Sequence, residues 1–213
     1  MTRSFKRRVE AKVDVPVATG HLDEFLRSRC APDVLPFFRD CHKAAKEVTE
    51  SMAALRWARK ALGVGSSQRR DVRCLVPGDG VLPRTGALVA HKTRWVVTSV
   101  DPLMRVDDPR LKKVDRLYCL AKRVEEMRAE PMTRSLGLAG AVLAVHSHAP
   151  LEASAKLMLA MYDPVVVVAI PCCEPQELSE DLLLGTAVKE TIVRDDGIFS
   201  DKNEVHIWNI RRL

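Results

Sequence analysis

Several things are scarce in this chain of 213 residues, and each scarcity excludes something. Aromatic residues make up only 5%, so stacking platforms for nucleic-acid bases are few. No apolar run comes near the roughly 20 residues that a membrane helix needs; the longest lies around Val165–Ile170. The six cysteines (Cys30, Cys41, Cys74, Cys119, Cys172 and Cys173) include no Cys-x-x-Cys pair of the common zinc motifs. No secretory signal opens the chain, and three of the cysteines sit in or directly after apolar runs. Reduced thiols in an intracellular protein are therefore expected, cytoplasmic rather than organellar. Internal repeats and low-complexity tracts are also missing.

What is present is globular in character. Hydrophobic residues reach 46% and charged residues 29%, a composition that buries a core and does not favour disorder. Lys and Arg number 34 against 28 Asp and Glu, a formal charge of +6. That excess suits an anionic partner such as nucleic acid, although a solvated basic face accounts for it equally well. The basic residues gather in "SFKRRVEAK", "SSQRRDVR" and "NIRRL".

Residues 21–63 carry apolar positions at helical spacing, among them Leu22, Phe25, Leu26, Val48, Met52 and Leu55, and read as helices ending at Gly63, with Gly65-Ser66-Ser67 as a linker. From Asp71 onward short apolar runs alternate with amphipathic segments, the pattern of βαβ units and a parallel sheet. Strands are expected at Val72–Val76, Trp95–Val100, Arg116–Leu120, Ala141–His146 and Val165–Ile170. Helices are expected at Pro83–His91, Lys122–Glu130 and Pro150–Tyr162. The last segment, "AVKETIVRDDGIFSDKNEVHIWNIRRL", reads as two extended stretches around a polar loop that pair antiparallel. Trp57 and Trp95 are expected in the core, and Trp208 against a flanking helix.

Five β/α units followed by an antiparallel hairpin resemble the class I methyltransferase fold: a Rossmann-like, mostly parallel seven-stranded sheet that binds S-adenosylmethionine. The resemblance covers residues 71–213 and leaves 1–70 as a basic segment and helical extension. "VLAVHSHAPLEASAKLM" followed by "VVVVAIPCC" is similar to methyltransferase families with a His-containing turn after the fourth strand and a Cys-Cys pair after the fifth, some of which modify tRNA.

The chemistry-bearing motifs stand at the ends of the expected strands. In "CLVPGDGVLPRTG", Gly78 and Gly80 let the backbone pass close to a ligand; a tight structural corner is the alternative. The resemblance places this loop beside the methionine and ribose parts of the cofactor. The acidic residue usual two positions before the first glycine is Val76 here, and the third glycine position is Leu82, so Asp79 is the candidate for the missing carboxylate. Arg84 falls in a first helical turn that attracts anions, or else pairs with Asp79 or Asp101. Asp101 ends the second strand, where a carboxylate accepts from ribose hydroxyls in dinucleotide domains and in the resembled family; capping the loop before Pro102 is the plainer role.

His146, Ser147 and His148 follow the fourth strand, and Cys172 and Cys173 the fifth. Histidine there suits a general base, the thiols suit nucleophiles or zinc ligands, and a polar rim with buried thiols needs no chemistry. The resemblance implies that these turns border the acceptor pocket. The Asn/Asp-Pro-Pro-aromatic motif of many amino-methylating relatives is replaced by "HSHAP", and no Lys-Asp-Lys-Glu set for ribose methylation is recognisable.

The reading is a methyl transfer from S-adenosylmethionine to an unnamed acceptor, with RNA as a candidate. Gly78, Asp79, Gly80 and Asp101 are on the cofactor side, His146 and His148 are catalytic candidates, and Arg84, Cys172 and Cys173 are on the substrate side. The alternative is a catalytically inactive subunit of the same fold in a ribonucleoprotein.

Overall fold

The β-branched runs become strands wherever both of their faces can be covered. The computed structural model describes residues 20–128, 138–171 and 177–213. Its strands are β1 (Val72–Pro77), β2 (Val96–Val100), β3 (Leu117–Leu120), β4 (Ala139–Val145), β5 (Val165–Ile170), β6 (Thr186–Arg194) and β7 (Glu204–Arg212). They form one seven-stranded sheet in the order β3-β2-β1-β4-β5-β7-β6. β1 to β5 run parallel, while β7 is antiparallel to β5 and to β6. The order reverses between β1 and β4, and crevices at such a switch point bind ligands in open α/β sheets.

The helices are α1 (Gly20–Leu26), α2 (Ala31–Phe38), α3 (Ala44–Leu62), α4 (Arg84–Lys92), α5 (Leu151–Met161) and the short α6 (Glu180–Leu183). β5 shows how its sequence serves two layers. Side chains alternate across a strand, so Val166, Val168 and Ile170 pack with α3 and α4 residues such as Met52, Leu55 and Leu88. Val165, Val167 and Ala169 face the α5 layer with Leu151, Met158 and Trp208. α3 thus shares its core with the sheet, as Val48, Met52 and Leu55 join Val72, Cys74 and Val76 in one cluster. Ser66 is buried: its hydroxyl donates to the Arg59 carbonyl, and its own carbonyl accepts the Trp95 indole N–H at 2.7 Å. The Gly65-Ser66-Ser67 stretch is accordingly a packed corner instead of a free linker.

A second deviation concerns the helix expected over Lys122–Glu130. The chain makes a single 3-10 turn, Val124–Glu126, closed by the Glu126 side chain accepting the Arg123 N–H, and Met127 is already extended. Val124 and Met127 tuck under α5. Two apolar anchors do not offset the cost of nucleating a longer helix. Residues 129–137 lie outside the described residues.

The loop between β6 and β7 is tied to the N-terminal helices. The Asp195 carboxylate accepts from His21 Nε2 at 3.0 Å and from Trp57 Nε1 at 2.7 Å. Burial alone would raise its pKa, but these donors outweigh burial and hold it at about 2. Thr49 Oγ1 on α3 accepts the Phe199 N–H. No helix among the described residues is long and apolar enough to cross a membrane.

Candidate functional site

The carboxyl ends of β1, β2, β4 and β5 make one rim, and the hydrogen bonds there show how it is held. After β1 the chain turns through Gly78 (φ +63) and Gly80 (φ +78), a left-handed conformation that side chains disfavour. At Gly78 the demand is also steric, since a Cβ would lie 2.5 Å from Ser147 Oγ on the turn after β4. At Gly80 a Cβ would meet nothing nearer than an Arg84 nitrogen at 3.9 Å. This leaves a shallow cradle of bare backbone.

Asp79 lies between these glycines and points the other way. Its carboxylate is buried and accepts the Thr85 and Gly86 N–H groups at 3.0 and 2.8 Å and the Ser99 hydroxyl at 2.8 Å. It caps the first turn of α4. Burial pushes its pKa up to about 7 against the pull of those three donors and of Arg84. A Cβ on Gly86 would overlap Ser99 Oγ, so helix, aspartate and strand meet without a spare methyl's width. Turned inward, the carboxylate does not replace the acidic residue absent at Val76, itself buried and apolar.

Asp101 closes the other side of the cradle. One oxygen accepts the Gly80 N–H at 3.1 Å and the other the Leu103 N–H at 2.8 Å. Each carboxylate oxygen has two lone pairs, so both keep acceptor capacity toward the rim. The loop-capping role thus occupies both oxygens of Asp101 without exhausting their lone pairs.

A further group comes from α3, and single-residue motifs give no sign of it. Glu50 is fully buried, yet its Oε1 lies 2.6 Å from His146 Nε2 and 3.0 Å from Lys46 Nζ. Lys46 Nζ is also 2.8 Å from the same His146 nitrogen. One ring nitrogen cannot serve both neighbours in the same way. Nε2 hydrogen-bonds with Lys46, while Glu50 Oε1 lies within ion-pair distance of both and makes no hydrogen bond itself among the described residues. His146 has a positive φ of 49°, and its Nδ1 is buried without a partner among the described residues. His148 is exposed on the same turn.

Arg84 stands in the first turn of α4 and reaches neither Asp79 nor Asp101 as an ion pair; its guanidinium lies 3.8 Å from Glu47 on α3. Cys172 and Cys173 are outside the described residues, as is the basic stretch within residues 1–19. Among the described residues no group of three or more His, Cys, Asp or Glu side chains could hold a metal ion. Burial raises the Cys119 thiol to about 12 and Cys74 higher still, so neither offers a thiolate near neutral pH.

A parallel five-stranded core with this strand order, a terminal antiparallel hairpin and a glycine turn after β1 is the Rossmann-like fold of class I methyltransferases. No protein-family model and no curated protein sequence matches the chain. Among solved structures it is similar to MtNAS in complex with MTA and tNA, over 92% of this chain and 70% of that one, at 17% identity and a TM-score of 0.52. A variant of MtNAS in complex with S-adenosylmethionine matches over 92% and 72%, at 15% identity and the same TM-score of 0.52. The 1,6-didemethyltoxoflavin-N1-methyltransferase of Burkholderia thailandensis, with bound 1,6-didemethyltoxoflavin and S-adenosylhomocysteine, matches over 97% and 98%, at 15% identity and a TM-score of 0.52. At these identities the likeness is one of fold.

Proposed function

We propose that the protein binds S-adenosylmethionine on the rim between β1 and β2 and transfers its methyl group to an acceptor held beside His146. The observation that carries this reading is the pairing of the Gly80 cradle with Asp101: bare backbone and a two-oxygen acceptor are locked together by the Gly80 N–H. Cofactor or product is bound by two of the similar proteins, which supports the choice of ligand. The fit is good on the ribose side, where Asp101 offers free lone pairs. On the amino-acid side, Arg84 at the mouth of the glycine turn suits the carboxylate of the methionine moiety.

Bound there, the cofactor supplies an electrophilic methyl group on a sulfonium. This chain's residues do the rest. Asp101 would fix the ribose, Gly80 leaves bare backbone for the ligand while Gly78 lets the turn pack on Ser147, and the rim would align the acceptor for in-line attack, where much of the rate comes from positioning. The proton that the acceptor must lose would pass to the His146 ring. The Glu50 carboxylate, with Oε1 2.6 Å from Nε2, would favour uptake of that proton by its charge. The basic charge of +6 makes RNA the first acceptor to try.

Calorimetry with S-adenosylmethionine and S-adenosylhomocysteine tests the cofactor site. The expected result is micromolar binding, about −8 kcal/mol, weakened at least tenfold in Asp101→Ala. A folded protein that binds neither would overturn the reading and turn attention to a non-catalytic subunit of this fold.

A further inference from the structure

The opposite edge of the sheet carries a different charge pattern. Parallel neighbours begin at the same edge, and an arginine stands just before each of three: Arg70 before β1, Arg94 before β2 and Arg116 before β3. These three side chains, with Val96, line a groove of about 470 Å³. Neighbouring strands are spaced about 4.8 Å apart, so the three side chains form a row about 10 Å wide. A second groove, of about 540 Å³, is lined by Arg56, Arg59 and Lys60 on α3 and by Lys92 at the end of α4. The chain from Lys92 to Arg94 leads from one groove to the other.

Apart from Lys92, these cations have no carboxylate partner among the described residues. Arg56, Arg59, Lys60, Arg70, Arg94 and Arg116 make no ion pair among the described residues, whereas nearby Asp71 is taken up by Arg69 and Glu24 by Lys92. Lys60 lies over the Trp57 ring at 4.5 Å. Arg116 donates to the Ala90 and Thr93 carbonyls, which fixes its direction and leaves its charge uncompensated. Asp115, exposed beside it, offsets part of the row. A two-groove band in which most of the arginines and lysines lack a carboxylate partner among the described residues, while nearby Asp71 and Glu24 are taken up by Arg69 and Lys92, has the electrostatic footprint of a phosphate-backbone binder.

We infer that this amino edge is a docking surface for the phosphate backbone of RNA. It deepens the RNA half of the preceding reading but is independent of the cofactor rim. Both Trp57 and Trp95 are turned into the structure, Trp57 partly and Trp95 wholly, so the band offers charge without a stacking platform. Binding is therefore salt-sensitive and largely indifferent to sequence.

The test uses the full chain and a fluorescein-labelled 20-nucleotide mixed-sequence RNA, followed by anisotropy across a salt series. With about six phosphates neutralised, the slope of log affinity against log salt is expected near −4, at about 0.7 per phosphate for a single strand. The variant Arg70→Ala/Arg94→Ala/Arg116→Ala should bind at least tenfold more weakly, with a slope less steep by about 2. A control with the same charge loss elsewhere, Lys156→Ala/Lys189→Ala/Arg211→Ala, should bind like the parent. Near-UV circular dichroism checks the fold, and Arg94→Ala alone gives a smaller loss in the same direction. Equal losses in both triple variants, no loss in the first, or no RNA binding by the parent at 50 mM salt would each overturn the inference. So would competition by polyglutamate as effective as by unlabelled RNA, which would point to an acidic protein partner. S-adenosylhomocysteine binding, read on the same samples, reports the other rim separately.

Discussion

The two edges of one sheet manage charge in opposite ways. At the carboxyl edge Glu50 is buried between Lys46 and His146, Asp79 is buried under three donors, and Arg84 leans toward Glu47. At the amino edge Arg70, Arg94 and Arg116 face solvent without acidic partners among the described residues. Internal pairing holds groups in fixed positions, as a reaction site requires. An open row of cations suits a long partner whose register need not be set. On the inferred reading the first edge serves stability and the second association, and substitutions can break that assignment.

The largest effect is expected from Glu50→Ala. Removing the buried carboxylate takes from Lys46 its ion-pair partner and empties an enclosed site beside His146, and breaking such a buried pair costs about 3 kcal/mol or more. Urea unfolding would read it; a change below about 1 kcal/mol, the scale of a surface pair, would mean the triad is no better held than one exposed to water.

A pH effect comes next. The Asp79 pKa is raised to about 7 from an ordinary 3.8, so between these values the folded state holds a proton that the unfolded state has lost. Its stabilising contribution is complete below about 3.8 and disappears as pH rises through 7. The urea midpoint of the parent should therefore fall between pH 5 and pH 8 by more than that of Asp79→Asn, which does not titrate. Parallel curves would show that the three donors keep Asp79 ionised throughout.

The smallest effect belongs to the amino edge. Arg94→Ala should change unfolding stability by less than about 0.5 kcal/mol, the range of ordinary surface substitutions, while weakening RNA. A larger loss would mean that the arginine row braces the fold.

These contrasts also show what was legible beforehand. The five parallel strands and the hairpin could be read because β-branched runs such as "VVVVAI" have no other burial that satisfies them. The placement of Asp101 at the end of β2 followed from the same pattern. The direction of Asp79 did not: "GDG" fixes a turn, but Ser99 and the α4 amides decide which way its carboxylate faces. Nor did the triad, since Lys46 and His146 are 100 residues apart, and Glu50 reads as one more polar position on a helix. The helix expected at Lys122 had charge and length but too little apolar surface to persist beyond one turn.

α3 touches both edges, with Lys46 and Glu50 near one end and Arg59 and Lys60 near the other. From Lys46 to Lys60 the helix climbs about 21 Å, at about 1.5 Å per residue. It is thus a ruler. On the inferred docking, a stacked strand anchored on the arginine band, rising about 3.4 Å per nucleotide, would extend about six nucleotides further to come level with His146. If RNA docks there as inferred, stacked oligonucleotides shorter than that span would occupy the band without bridging to the opposite rim.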